Sequence, residues 1–268
     1  MKTSNKKISQ LLLTTEEMDS VYQKLHKQKF KYPYFFKITR GNQSLHFLGP
    51  NHTFDPKNHQ IKTIRKYWNG FLKDTNKKDC SVLIEGGERP VEKSENIAIK
   101  KHGEPGFTTF LASKEGVKAF SPEPDSKDIT DKLLKNFSKE EIMYNGFAGR
   151  TAQWNRLVDK PDFNKYIGRF MKRNKKELRW KDFDFSLENF IRIHDKKHKH
   201  KFNKNNYKCF NADSGPFKSR VSAASGVIRD TYIVSEIKRF WDEGKNIFIV
   251  YDSGHAIVQE PALKKLLE

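Results

Sequence analysis

The sequence predicts an α/β fold: a mostly parallel central sheet flanked by helices, with a helical cap subdomain inserted into it. Three observations carry that prediction. The runs Cys80-Ser81-Val82-Leu83-Ile84-Glu85 and Asn246-Ile247-Phe248-Ile249-Val250-Tyr251 are nearly continuous apolar segments of strand length, as in parallel strands covered on both faces. Helical patterns with one broad apolar face lie beside them in the chain, as crossover connections require. Between residues 126 and 224, by contrast, helical patterns follow one another without a strand. The expected organisation is an N-terminal half of the core over 1–125, a helical insertion with a lysine-rich loop over 126–224, and a C-terminal half over 225–268.

Taken in order, residues 1–13 read as a basic lead-in, and Thr14-x-x-Glu17 as a capping box for a helix to about Lys29 with Met18, Val21, Tyr22 and Leu25 on its apolar stripe. Strands from Tyr32 to Thr39 and from Ser44 to Leu48, joined at Gly41-Asn42, make a hairpin. Asp55 and Pro56 suit the cap and first turn of a helix to about Lys73, which presents Ile61, Ile64, Trp68 and Phe71 on one face. After the Cys80 strand and the turn Glu85-Gly86-Gly87-Glu88-Arg89-Pro90 come two short helices, about Glu92 to Lys101 and Gly106 to Lys114. A short strand from Val117 to Phe120 then runs into Ser121-Pro122-Glu123-Pro124-Asp125. The insertion carries a capping box at Ser138-x-x-Glu141, a restart at Pro161 and an amphipathic helix beginning near Ser186. Its Lys196 to Lys201 tract reads as a solvated loop, and His194-x-x-x-His198 as part of that charge run rather than a metal pair. The last crossover helix covers Val227 to about Glu243, and a short helix from Pro261 closes the chain.

With 268 residues, 35% of them hydrophobic and 21 of them Phe, the chain can bury a sizeable core despite a mean hydropathy of −0.84. No apolar run approaches the ~20 residues a membrane helix needs, and Leu11-Leu12-Leu13 is too short for a signal peptide. No membrane partner and a cytoplasmic location are therefore expected. Cys80 and Cys209 lie in unlike contexts and predict no disulfide. The formal charge is +19, from 52 Lys+Arg against 33 Asp+Glu. It admits non-specific association with nucleic acid, but lysine is spread over almost every expected helix, which favours solvated faces over a dedicated footprint.

Four strand ends carry groups able to do chemistry: His52, Glu85 with Glu88 and Arg89, Glu123 with Asp125, and Asp252 with His255. Parallel strands lie ~4.8 Å apart, and ligands of open α/β sheets bind in the crevice outside the carboxyl ends, so these groups are expected to converge. Prolines on both sides of Glu123 hold it stiffly, as an assisting acid, base or ligand would be held. His52, Glu85, His255 and Asp252 suit a divalent metal such as Zn²⁺ or Mn²⁺, which would activate water. The same set equally suits proton abstraction from water without metal, and the spacing does not decide. Arg229, expected with Asp230 at the first turn of the last crossover helix, suits an oxyanion or a structural ion pair alike. Asp230 is explained there by the helix dipole alone.

Gly49-Pro50-Asn51-His52, Val82-Leu83-Ile84-Glu85-Gly86, Arg229-Asp230 and Ile249-Val250-Tyr251-Asp252-Ser253-Gly254-His255 resemble the motifs of the TraB/TIKI/ChaN-like superfamily, which includes the erythromycin esterases. The resemblance covers about residues 32–125 and 225–268. It implies an α/β cleft with two G-x-x-H motifs, a glutamate and an arginine, roles that fall on His52, His255, Glu85 and Arg229. The second motif reads D-S-G-H here, with Asp252 where glycine is expected. Superfamily members include metal-dependent proteases, esterases and a haem-binding lipoprotein. The expected function is accordingly a peptide or ester hydrolase acting on a small-molecule or peptide substrate. A haem-type binding module and a basic nucleic-acid-associated protein are the rivals.

Overall fold

The computed structural model describes residues 7–12, 14, 17, 33–198, 200–206 and 220–268. The chain divides into two compact units, Met1–Pro124 with Gly226–Glu268, and Asp125–Ser225.

The first unit is built on a five-stranded sheet in the order β1-β2-β5-β3-β4. β1 (Tyr34–Arg40) and β2 (Gln43–Gly49) form the expected hairpin, with Arg40 opposite Gln43 across Gly41-Asn42. Gly41 has a φ of +57°, a conformation open to glycine at no steric cost. β3 (Cys80–Ile84), β4 (Ala119–Phe120) and β5 (Asn246–Val250) complete the sheet. β5 is parallel to β2 on one side and to β3 on the other, and β3 is parallel to β4. Every residue of β3 and β5 is buried, as their apolar runs require. The last strand of the chain thus slots between two laid down long before it, which places the ends of β2, β5, β3 and β4 side by side.

Helices cover the sheet. α1 (His59–Asp74) turns Ile61, Ile64, Trp68 and Phe71 onto a core shared with Val82, Ile84, Phe248, Val250 and, from α2 (Glu95–Lys114), Ile99 and Phe107. The cap of α1 is Asn58, whose side chain accepts from Gln60 N. Asp55, expected in that role, accepts instead from Lys57 N in the preceding turn, and the helix starts three residues later. The two helices expected between Glu92 and Lys114 run on as α2 but break at Gly103, whose φ of 62° and ψ of −148° are not helical.

In the second unit, α3 (Ser126–Leu133), α4 (Lys139–Arg156), α5 (Phe163–Leu178) and α6 (Leu187–Lys197) are joined by capped turns. The Ser138/Glu141 capping box is present in both directions. Tyr144, Phe147, Phe163, Ile167, Phe190 and Ile193 form their core. His194 is not part of a solvated charge run: it is fully buried, and its Nδ1 lies 2.7 Å from the Tyr144 hydroxyl, with His198 Nε2 2.9 Å from the same oxygen.

α7 (Arg220–Asp242) and α8 (Ser253–Leu267) flank β5. Both start earlier than the sequence suggests. Val221-Ser222-Ala223-Ala224-Ser225-Gly226 has no long apolar stripe, so the helical period becomes legible only from Val227. Pro261 sits inside α8 and does not open it. The Thr14/Glu17 box is present, Thr14 N donating to Glu17 Oε2 at 2.8 Å and Glu17 N to Thr14 Oγ1 at 3.3 Å. The apolar stripe from Met18 to Leu25, Cys209 and Lys199 of the basic tract lie outside the described residues. Among those described, no helix is long and apolar enough to cross a membrane.

One glycine sets how closely α8 meets the sheet. A Cβ on Gly49 would stand 2.8 Å from both Ser253 Cα and Ala256 Cβ. Gly49→Ala is expected to destabilise the protein by about 1–3 kcal/mol, the usual scale of overpacking against backbone. Urea unfolding measures this, and an unchanged midpoint would show that α8 can back away freely.

Candidate active site

The side-by-side strand ends bring His52, Glu85, Glu123, Arg229, Asp252 and His255 to one edge of the sheet unit. Backbone hydrogen bonds fix the two histidine segments to each other. Tyr251 N donates to Leu48 O at 3.2 Å, and Ser253 N to Pro50 O at 3.1 Å. Gln60 then pins the loop before His52, accepting from Asn51 N at 2.8 Å and donating to Asn51 O at 3.3 Å. On the other side, Gly86 N donates to Glu123 Oε1 at 3.2 Å, and Gly87 N to Ser121 Oγ at 2.8 Å. Gly86 and Gly87 have φ of 79° and 99°, which lets both N–H groups turn toward the β4 loop.

Glu85 is the hub. Its Oε2 accepts from Asp252 N at 2.8 Å and lies 3.8 Å from His52 Nε2. Its Oε1 accepts from Arg229 Nη2 at 3.2 Å and lies 3.5 Å from His255 Nε2. Both imidazoles therefore turn Nε2 toward one carboxylate, at separations longer than a closed hydrogen bond.

Each imidazole is backed on its other nitrogen by a second acid. His255 Nδ1 is 2.6 Å from Asp230 Oδ1, which also accepts from Gln259 Nε2 at 2.6 Å. His52 Nδ1 is 3.6 Å from Glu104 Oε2, and Glu104 Oε1 takes the Thr53 N–H. Asp230 is 0% and Glu104 2% exposed. Sequence reasoning missed both partners. The sequence suggests a helix start at Asp230, yet it sits in the middle of α7, where a dipole argument no longer applies and a buried acid needs a partner. Glu104 went unnoticed, although Gly103-Glu104-Pro105-Gly106 in a helical stretch was the available signal. The Gly103 break allows the contact: a Cβ there would stand 3.0 Å from Thr53 O.

Glu123 is not a free acid or base. It grips Arg229, taking Nε on Oε2 at 3.0 Å and Nη2 on Oε1 at 2.8 Å. Arg229 is thus in the ion pair that was one of its two expected roles, held by two carboxylates, and its Nη1 makes no hydrogen bond to a described residue. Asp252 caps α8 through Gly254 N at 2.8 Å and so serves as a helix cap rather than a spare ligand. Asp125 likewise caps α3, and Glu88 is exposed to solvent.

A guanidinium lies on Glu85 and Glu123, Asp252 is used as a cap, and among the described residues no group of three or more His, Cys, Asp or Glu is placed to hold an ion.

Electrostatics follow from this packing. Desolvation opposes charge on His255, which is buried, and the exposed His52 keeps 35% of its side chain open to solvent; the acids around them raise both. His52 is raised to about 10 by the Glu104 carboxylate 3.6 Å from its Nδ1 and by the fields of Glu85 and Asp252. His255 is raised to about 9 by Asp230 and Glu85, against the repulsion of Arg229. Burial likewise pushes Glu85 up, yet His52, His255, Arg229 and the Asp252 N–H hold it well below the ordinary carboxylate range.

Comparison of the chain with family models, with curated proteins and with solved structures yields no match.

The sign of the pH dependence is fixed by these shifts. A histidine raised in the folded state stabilises it fully below its ordinary value of 6.5, and that stability is lost as pH rises toward about 9 for His255. Glu85 acts in the opposite sense, stabilising above its ordinary 4.5 and less as pH falls below it. Thermal melts should therefore show a falling alkaline limb that shrinks in His255→Asn. An identical limb in that variant would mean that His255 is not raised.

Proposed function

We propose that this edge of the sheet is a hydrolase site for an ester or peptide bond, of the TraB/TIKI/ChaN-like type that the sequence resembles. The observation that carries the reading is the paired arrangement: two imidazoles, each braced by a buried acid, facing one carboxylate between them. A structural cluster needs only charge balance; it has no need for two nitrogens held just beyond bonding distance of one acceptor.

The roles follow from exposure and charge. His255, nearly buried and braced by Asp230, is the general base once it has lost its proton, taking one from water through Nε2. His52, with 35% of its side chain exposed, is the acid that returns a proton to the leaving group. Glu85 orients both rings and stays ionised. Arg229 offers Nη1 to the oxyanion, while Glu123 holds the guanidinium in place. The donor set supports a reaction in which these side chains, rather than a metal, move the protons. We also propose that the inserted helices form the cap subdomain that the sequence suggests and that substrate choice is written there.

Hydrolysis of p-nitrophenyl esters and of a fluorogenic peptide mixture tests the reading. His255→Asn and Glu85→Gln are each expected to lower kcat by about 100-fold or more, the range of a lost acid–base group. Chelation should leave the rate unchanged; a rate restored only by added Zn²⁺ or Mn²⁺ would replace this mechanism with a metal-based one. Full activity in both variants would end the hydrolase reading.

The pH profile gives a second check. The working form needs neutral His255 and protonated His52, so kcat/KM should rise with pH above 7 toward about 9 and fall beyond about 10. A plateau already reached at the ordinary histidine value of 6.5 would contradict the assignment.

A further inference from the structure

One helix of the second unit gathers cations that the sequence appears to scatter. α5 buries Phe163 and Ile167 in the core with Tyr144, Phe147 and Phe190. Its outer side exposes Lys165, Arg169, Lys172, Arg173 and Lys176. These fall 4, 7, 8 and 11 residues after the first, the repeat of one helix face, so they form a stripe. At 1.5 Å rise per residue the stripe is about 16 Å long. One strand of a duplex presents a phosphate every ~3.4 Å of axis, so about five phosphates lie along that length.

Local pairing separates this stripe from other basic surfaces. Among the described residues only Arg173 of the five has a carboxylate partner, Glu177 at 3.8 Å. On α7, by contrast, Lys238 pairs with Asp242 at 2.6 Å, and Arg239 with Glu236 at 2.9 Å and Glu243 at 2.7 Å. An anionic lipid surface fits the stripe less well, since a helix lying on a bilayer needs an apolar face free to insert. The apolar face of α5 is already in its own core.

We propose that this face of α5 binds the phosphodiester backbone of a nucleic acid, reading charge spacing and not bases. The contacts are those that position a chain without specifying sequence. The inference is independent of the Glu85 cluster, whose residues it does not use.

The test is fluorescence anisotropy of the full chain with labelled duplex DNA and single-stranded RNA, from about 50 to about 200 mM salt. With five contacts, log K should fall against log salt with a slope of about −4.5 on duplex and about −3.5 on the single strand, and the tighter arm identifies the source. The triple variant Lys165→Gln, Arg169→Gln, Lys172→Gln should lose about three units of the duplex slope. Lys62→Gln, Lys66→Gln, Lys73→Gln, the same charge removed from exposed positions on α1, should change it little. The pair Lys172→Gln, Lys176→Gln, checked by circular dichroism, serves if the first triple misfolds. Equal losses from both triples would reduce the effect to bulk charge and overturn the proposal. So would absence of binding at about 50 mM salt, or binding to phosphatidylserine vesicles that the α5 triple abolishes while nucleic-acid affinity stands.

Discussion

A carboxylate with only 12% of its side chain exposed survives ionised only if positive charge is supplied close by, and Glu85 receives it from three sides. Arg229 supplies a permanent cation, and the two imidazoles supply charge that depends on pH. Four acids, Glu85, Glu104, Glu123 and Asp230, are gathered around two imidazoles and a single guanidinium. Protonating both histidines relieves most of that imbalance, which is why both are raised, His255 despite its burial. The cluster ties several elements together: His52 follows β2, Glu85 follows β3, α7 carries Arg229 and Asp230, and α8, directly after β5, carries His255.

The Glu123–Arg229 pair does more than neutralise. Glu123 is the last residue but one before the chain leaves the sheet unit, and Arg229 lies three residues after it returns at Gly226. A two-point grip between them joins the residues on either side of the second unit in sequence and fixes the guanidinium. Removing one partner leaves a largely buried charge without its counter-ion, so this contact contributes to folding. The sequence puts Glu123 and Arg229 in separate halves of the core and allows an ion pair for Arg229 without naming its carboxylate; the fold supplies Glu123.

Much of the fold was legible because burial on two faces leaves a plain mark. The β3 and β5 runs read as interior parallel strands, and the parallel neighbours put their ends together as the geometry of such sheets demands. Helix starts were less legible. Asn58, and not Asp55, caps α1, because both residues favour turns and only the three-dimensional path decides which one begins the helix. In the site, the residues at strand ends were visible, whereas their partners were not. Asp230 hides in a helix whose first turns have no apolar period, and Glu104 depends on a glycine kink whose value lies in a contact with Thr53, far away in sequence. Long-range acid–imidazole pairing has no spacing rule, so no local pattern announces it.

The most direct test is nitrogen-15 NMR of the histidine side chains, titrated in the wild type and in Glu85→Gln. If both imidazoles share Glu85, two histidines should remain protonated well above the ordinary value of 6.5, and the single substitution should lower the titration points of both. A spectrum in which His52 and His255 titrate near 6.5, or in which Glu85→Gln moves only one of them, would contradict the shared carboxylate on which the whole account is built.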